Sequence, residues 1–126
     1  MTNYFLDTSA FIEFFDGSIK GRRVLDHIRQ ADACTSMLVI AELADIFLRK
    51  EKKVQQYIDF IKKNIRIVSL DEKSCLLAAK IKQEHMKKSP RFGLIDALHY
   101  SCADTNNCVF LTTDKDFIGL THAQVL

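Results

Sequence analysis

Apolar residues follow two different periods along this chain of 126 residues. Short, mainly apolar segments have the length and composition of strands, and they cover residues 4–6, 33–35, 65–68, 109–111 and 123–125. Between these runs, apolar residues recur every three or four positions, as in amphipathic helices, over residues 10–15, 24–30, 37–47, 51–64, 70–86 and 94–103. The pattern predicts strands that alternate with helices.

Capping residues mark several of the predicted helix starts. Ser36 stands directly before the third helix, where its hydroxyl can accept a backbone N–H. Ser69, with Glu72 three residues later, fits the capping-box pattern at the start of the fifth helix. Thr113 with Asp116 predicts a further short helix before the last strand.

Strands that alternate with helices through short loops are typical of an α/β fold with a mainly parallel sheet and helices on both faces. In such open sheets, ligands bind beyond the carboxyl ends of the strands, near the point where the strand order reverses. Candidate chemistry is therefore expected at that edge of the sheet.

Composition and charge narrow the class of protein. Hydrophobic residues make up 48% of the chain and charged residues 27%, so one globular domain over residues 1–126 is expected. The 18 Lys and Arg against 16 Asp and Glu give a net charge of +2, which alone is weak support for a nucleic-acid partner. No apolar run approaches the ~20 residues of a membrane-spanning helix, and no signal-peptide pattern is present. We expect a cytoplasmic protein with no membrane association.

Four acidic residues hold conspicuous positions. Asp7 and Asp114 follow two of the clearest strands, whereas Glu42 and Asp96 lie near the starts of helices and are flanked by apolar residues. Each could be an ordinary turn, capping or solvated residue. However, a carboxylate in a largely buried segment needs a compensating partner, and the runs around Glu42 and Asp96 contain no Lys or Arg.

A divalent cation would relieve the repulsion between acids that meet at one edge of the sheet. Oxygen ligands favour Mg²⁺ or Mn²⁺, whereas Zn²⁺ usually brings His or Cys, and the Cys and His residues of this chain show no zinc-site spacing. Mg²⁺ held by carboxylates commonly binds phosphate oxygens, so phosphoryl chemistry is the natural use of such a site.

The ordered strings YFLDTSAFIE, VIAEL, GLIDALHYSCA and VFLTTDKDF resemble the PIN-domain family of metal-dependent ribonucleases. The chain is most similar to the small single-domain members that serve as VapC toxins of toxin–antitoxin pairs, and the resemblance covers essentially its whole length. It implies a three-layer α/β/α sandwich around a mainly parallel sheet of about five strands.

The resemblance also implies roles for particular residues. The catalytic, metal-holding acids would be Asp7, Glu42, Asp96 and Asp114. Asp116 would be an auxiliary metal ligand. The hydroxyls that steady these acids would be those of Thr8, Ser9 and Thr113, for which plain capping is an equally good interpretation. Asp45, one turn after Glu42, departs from the expected small or apolar residue and is interpreted as solvent-facing. His99 is interpreted as a packed or surface histidine outside the catalytic set.

A function follows from this resemblance. The implied activity is endonucleolytic RNA hydrolysis by a water that Mg²⁺ or Mn²⁺ activates, leaving 5′-phosphate and 3′-hydroxyl ends. The implied partners are an RNA substrate, a cognate antitoxin and a second copy of the chain in a homodimer. The sequence does not identify the RNA, the antitoxin, the dimer interface or the number of metal ions.

Two clusters of cations are the best candidates for gripping RNA, although such runs are usually solvated helix faces. They are Lys20, Arg22 and Arg23, and Lys87, Lys88 and Arg91. If the five acids named above share one pocket, the rest of the chain has 18 cations against 11 anions, a balance of +7. Phosphate contact predicts RNA binding that weakens steeply with salt.

Two other readings remain open. A phosphoacceptor regulatory domain also gathers acids and Mg²⁺ at strand ends, but it usually has an acidic pair before the nucleophilic Asp and a late Lys, and neither is evident here. A catalytically silent PIN fold that only binds RNA or protein is the second alternative. The presence of all four family acids favours an active enzyme over that alternative.

Overall fold

The computed structural model describes residues 2–29 and 31–126, and its centre is a sheet of five strands. The strands are β1 (Tyr4–Leu6), β2 (Ala33–Ser36), β3 (Arg66–Val68), β4 (Val109–Thr112) and β5 (Ala123–Val125). They lie in the order β3-β2-β1-β4-β5, and every neighbouring pair is parallel. The predicted α/β class and five-stranded parallel sheet are confirmed.

Six α-helices connect the strands of the described chain. They are α1 (Thr8–Asp16), α2 (Ile19–Ile28), α3 (Met37–Arg49), α4 (Val54–Asn64), α5 (Glu72–His85) and α6 (Leu94–Thr105). A single 3-10 turn, Lys115–Phe117, separates β4 from β5. All six predicted helices are present with shifted ends, and the predicted extension of the second helix to Gln30 lies outside the described residues.

The chain direction places helices on both faces of the sheet. The connections from β1 to β2 and from β2 to β3 carry α1 to α4, and α1 packs against α2 and α3 while α3 packs against α4. The return from β3 to β4 carries α5 and α6, which pack against each other. The first two connections move along the sheet toward β3, whereas the return to β4 moves the other way. Right-handed crossovers in opposite directions place their helices on opposite faces of the sheet, so the molecule has the three predicted layers. The strand order reverses between β1 and β4, which is where such folds bind ligands.

Helix caps show where the sequence pattern was misleading. Ser36 caps α3 as predicted, since its hydroxyl accepts the Val39 N–H. The predicted Ser69 cap is wrong, because Asp71 caps α5 and accepts the Ser74 N–H at 2.9 Å. The predicted Thr113 cap is also wrong, because Asp114 caps the 3-10 turn. In both cases a carboxylate closer to the first turn replaces the more distant hydroxyl.

The α5–α6 hairpin determines where the loop of residues 86–93 lies. At one end of the hairpin, the hydroxyls of Ser74 and Thr105 are 2.7 Å apart. At the other end, His85 Nε2 lies 2.7 Å from the carbonyl oxygen of Asp116, just beyond the end of β4. The loop that follows His85 therefore sits at the carboxyl edge of the sheet.

The helices of the described chain are too short or too polar for a membrane span: none combines the necessary length with the necessary hydropathy.

Candidate active site

Asp7 is the buried centre of the carboxyl edge. It follows β1 directly, its backbone N–H donates to the Leu111 carbonyl of β4 at 3.0 Å, and its side chain caps α1. The residue is only 5% exposed. The chain therefore places a carboxylate at the switch point of the sheet, largely out of contact with water.

Three donors hold the Asp7 carboxylate. The Thr8 N–H donates to Oδ1 at 2.8 Å, and the Thr112 hydroxyl donates to Oδ2 at 2.7 Å. The Ser9 hydroxyl lies 3.3 Å from Oδ2 and 3.0 Å from the Thr112 hydroxyl. These contacts fix the direction of the carboxylate. The Ser9 hydroxyl lies where its predicted role requires, whereas Thr8 contacts Asp7 through its backbone N–H and directs its hydroxyl to Glu42.

The residue that steadies Asp7 from β4 is Thr112, which sequence reasoning missed. Thr113, the predicted residue, contributes its backbone N–H to Ser9 Oγ at 3.0 Å. Thr112 is fully buried and also accepts the Asp114 N–H, so one hydroxyl connects two acids. The strand register explains the difference: β4 extends through residue 112, so Thr112 is its last residue.

Glu42 extends from the second turn of α3 and is bound from both faces of the sheet. Its Oε1 accepts the Thr8 hydroxyl of α1 at 2.7 Å and lies 2.5 Å from His99 Nε2 of α6. The His99 contact is the main cause that holds the pKa of Glu42 below its usual value. His99 was excluded from the predicted site; its spacing of three residues from Asp96 on one helix is the signal that could have found it.

Asp96 and Asp114 complete the group of acids. Asp96 lies in the first turn of α6 and its Oδ2 accepts the Gly93 N–H at 3.0 Å. Asp114 Oδ1 accepts the Asp116 N–H at 2.9 Å. The predicted auxiliary acid, Asp116, thus adjoins the site through its backbone amide.

Electrostatic effects connect the four acids Asp7, Glu42, Asp96 and Asp114 into one site. Burial raises the pKa of Asp7 to about 6, and the negative charge of Glu42 adds to this rise. The charge of His99 and the hydrogen bonds that Asp7 accepts from Thr112 and Thr8 act in the opposite direction. Burial also raises the pKa of Asp96, and the charges of Asp114 and Glu42 contribute. The site therefore concentrates negative charge, as expected for carboxylates brought together by the fold.

No Lys or Arg forms an ion pair with these four acids in the described part of the chain. Lys and Arg of the described residues pair instead with acids elsewhere, at Arg49–Asp45, Lys52–Asp16, Arg66–Asp32 and Lys87–Glu84. Asp45 is thus a solvent-facing helix residue, as predicted. Among the residues that the structure describes, His99 is the only basic side chain that pairs with one of these acids.

Within residues 2–29 and 31–126, no three His, Cys, Asp or Glu side chains are already arranged as metal ligands. Glu42, Asp96 and Asp114 each direct one oxygen toward protein hydrogen-bond groups, whereas both oxygens of Asp7 accept hydrogen bonds. Glu42 Oε2, Asp96 Oδ1 and Asp114 Oδ2 accept no hydrogen bond from the described residues. An all-oxygen donor set with one spare oxygen on each of three acids fits Mg²⁺ or Mn²⁺.

The two predicted basic clusters differ in their relation to the site. All six cations are exposed. Lys87, Lys88 and Arg91 lie in the loop at the carboxyl edge, immediately before the helix that carries Asp96. Lys20, Arg22 and Arg23 lie at the start of α2, which packs against Glu13 of α1. Glu13 is roughly 8 Å along the helix axis from Thr8, the residue that begins α1 beside Asp7. The loop cluster is therefore the better placed of the two.

Comparisons with known proteins agree with this geometry. A family model described as "PIN domain" matches residues 4–122. The fold is similar to a chain of VapBC2 from Rickettsia felis, crystallised with a fragment of promoter DNA, with a TM-score of 0.78 and 20% identity over 99% of this chain and 98% of that chain.

Two further solved structures share the fold. A toxin–antitoxin complex from Klebsiella pneumoniae matches with a TM-score of 0.79 and 17% identity, over 97% of this chain and 96% of that chain. VapC20 from Mycobacterium tuberculosis, described as a sarcin-ricin loop cleaving toxin, matches with a TM-score of 0.74 and 15% identity, over 96% of this chain and 98% of that chain. No curated protein matches the sequence significantly.

Proposed function

Because this chain belongs to the PIN domain family, we propose that it is a Mg²⁺- or Mn²⁺-dependent endoribonuclease and the toxin of a toxin–antitoxin pair. The observation that carries the proposal is the convergence of four carboxylates without a Lys or Arg partner at the switch point of the sheet. Such a cluster is costly for folding alone and suits a site that binds a divalent cation. The activity would be cytoplasmic, where RNA is available.

The four acids have separate tasks in the proposed mechanism. Glu42, Asp96 and Asp114 would hold the cation through their spare oxygens, together with Asp7, and Asp116 would assist from the adjoining turn. When bound, the cation supplies Lewis acidity that makes a water molecule nucleophilic and neutralises charge on the phosphate. Thr8, Ser9 and Thr112 keep the carboxylates pointed at the site through their hydrogen bonds. Hydrolysis would leave 5′-phosphate and 3′-hydroxyl ends.

The decisive test is cleavage of a mixed RNA pool by the purified protein. We expect endonucleolytic products with Mg²⁺ or Mn²⁺ and their loss when EDTA is present, because the acids alone offer no Lewis acid. End-labelling of the products checks the predicted 5′-phosphate. A protein that binds RNA but cuts nothing with either cation would instead be the catalytically silent alternative, and phosphorylation of Asp7 by a phosphodonor would favour the regulatory alternative.

Substrate binding is assigned to the loop cluster of Lys87, Lys88 and Arg91. Replacing all three with Gln should weaken binding of single-stranded RNA and reduce the slope of log K against log salt by up to about 2, since each phosphate contact contributes about 0.7. Fluorescence anisotropy in an Asp96→Asn background measures binding without cleavage.

The matched control for this loop is the pair Lys62 and Lys63. Both are exposed at the end of α4, just before β3 begins, and hence at the opposite edge of the sheet. Replacing this pair with Gln should leave the salt slope nearly unchanged. Equal effects of the two multiple variants would contradict a specific role for the loop. The Lys20, Arg22 and Arg23 cluster can be compared in the same way.

An antitoxin and a second copy of the chain are the proposed protein partners. Solved structures with a similar fold include VapBC2 and a toxin–antitoxin complex, and this similarity motivates the proposal of an antitoxin. The acidic site would attract an Arg side chain of an inhibitory peptide, and the guanidinium group would form bidentate hydrogen bonds with a carboxylate. The antitoxin is tested by growth arrest on induced expression and its relief by co-expression of a small DNA-binding protein from a flanking gene. Sedimentation analysis tests the homodimer.

A further inference from the structure

His99 is buried against a carboxylate that is partly open to solvent. Its side chain is 1% exposed, whereas that of Glu42 is 40% exposed, and Nε2 lies 2.5 Å from Glu42 Oε1. An ionised carboxylate carries no hydrogen atom and can only accept, so a ring nitrogen at this distance from its oxygen must act as the donor. The hydrogen atom in this contact therefore belongs to His99 Nε2.

The rest of the His99 ring makes no polar contact in the described chain. Nδ1 is buried and has no hydrogen-bond partner among residues 2–29 and 31–126. A buried polar atom without a partner lowers stability, and an apolar side chain of similar size would avoid that cost. Folding alone does not account for a histidine here, which directs attention to its one contact with Glu42.

Two donors from opposite faces of the sheet meet on the same oxygen of Glu42. Thr8 Oγ1, at the start of α1, donates to Oε1 at 2.7 Å, and His99 Nε2 of α6 donates to that same atom. Glu42 Oε2 accepts no hydrogen bond from the described residues. The side chain is thus held at one oxygen and offers the other.

We propose that His99 is a positioning residue that, with Thr8, restricts Glu42 to binding a divalent cation through Oε2 alone, and so selects Mg²⁺ or Mn²⁺ over Ca²⁺. Mg²⁺ requires near-octahedral geometry with single oxygens at short range, whereas Ca²⁺ accepts more ligands and often binds both oxygens of one carboxylate. A Glu42 that presents one oxygen suits the smaller ions. This inference rests on the proposed metal-dependent function.

The test compares cation binding in three versions of the full chain. Mn²⁺ affinity is measured by electron paramagnetic resonance and Ca²⁺ affinity by competition, for the wild type, His99→Leu and His99→Gln. Leu removes the donor at similar volume, and the Gln side-chain amide can replace Nε2–H. We expect His99→Leu to bind Mn²⁺ about 10-fold more weakly or worse, with a smaller preference over Ca²⁺, and His99→Gln to recover both.

The results separate this inference from the proposed function. If the wild type does not bind Mn²⁺, the proposed function itself fails. If it binds Mn²⁺ and His99→Leu shows the same affinity and the same preference over Ca²⁺, only the role of His99 is overturned. Failure of His99→Gln to recover what Leu loses also overturns it, since ring packing would then be the cause.

Two more variants serve as an alternative to His99→Leu and as a control. If circular dichroism shows that His99→Leu is unfolded, Thr8→Val removes the other donor from Oε1 with almost no change of shape, and the same loss of preference is expected. An unchanged preference in Thr8→Val would contradict the proposal. His27→Leu is the control, because His27 lies against Tyr4 and Gln124 at the opposite edge of the sheet and should leave both affinities unchanged.

Discussion

Replacing Asp96 with Asn is expected to reduce RNA cleavage by about 10³-fold or more, because a lost carboxylate ligand removes several kcal/mol of transition-state stabilisation. The change should not unfold the protein. Burial and neighbouring charges raise the pKa of Asp96, so its ionised form is disfavoured, and an amide oxygen can still accept the Gly93 N–H at the start of α6. Single-turnover cleavage with saturating Mg²⁺, alongside thermal denaturation, measures the two effects.

Asp104 provides a matched control on the same helix. It lies near the other end of α6 and pairs with His122 at 3.3 Å, at the opposite edge of the sheet from the site. Asp104→Asn should therefore keep cleavage within a few-fold of the wild type. Wild-type cleavage by Asp96→Asn would reject the metal-site hypothesis, and loss of cleavage in both variants would mean that α6 itself had been disturbed.

The positions of β1 and β4 could be predicted because each is a short apolar run with polar residues at its carboxyl end. Val109, Phe110 and Leu111 illustrate this, since Thr112 and the polar residues after it follow directly. The acids Asp7 and Asp114 were found for the same reason, because residues that follow parallel strands share one edge. The local sequence was sufficient to predict the location of a residue wherever that location depends only on its position along a strand.

Contacts that depend on side-chain direction across the fold could not be predicted in this way. His99 reaches Glu42 across 57 sequence positions and Thr112 reaches Asp7 across 105. The register of β4 and the rotation of α6 about its own axis determine these contacts, and the local sequence pattern predicts neither of them. The displaced caps at Asp71 and Asp114 have a similar cause, since several polar residues precede each turn and only the backbone path selects one.

The fold gives the near-neutral charge of the chain a different meaning. Asp7, Glu42, Asp96 and Asp114 interact at one edge, while Lys87, Lys88 and Arg91 are exposed in the loop beside it. A net charge of +2 therefore averages a concentrated acidic site and a more basic surface. With a divalent cation in the acidic site, the local field would attract a polyanion and place its phosphates near the carboxylates.

Replacing Asp7 with Asn should abolish cleavage and yet stabilise the metal-free protein at neutral pH. Burial raises the pKa of Asp7 to about 6, whereas an unfolded chain has a value of about 4. The folded state therefore binds this proton more tightly than the unfolded state, so the contribution of Asp7 to stability is greatest below about pH 4. It falls as the pH rises through about 6, by a total of about 3 kcal/mol.

Urea denaturation in EDTA, from pH 4.5 to 8, measures this effect as the difference between Asp7→Asn and the wild type, in which the contributions of other groups cancel. The stability advantage of Asp7→Asn should grow with pH and become constant above about pH 7. Mg²⁺ should then stabilise the wild type by mass action and leave Asp7→Asn unchanged. Asp26→Asn, an exposed acid on α2, is the control and should show neither effect. A pH-independent difference between Asp7→Asn and the wild type would mean that burial does not raise the pKa of Asp7, because the three hydrogen-bond donors to the carboxylate offset the cost of burying it.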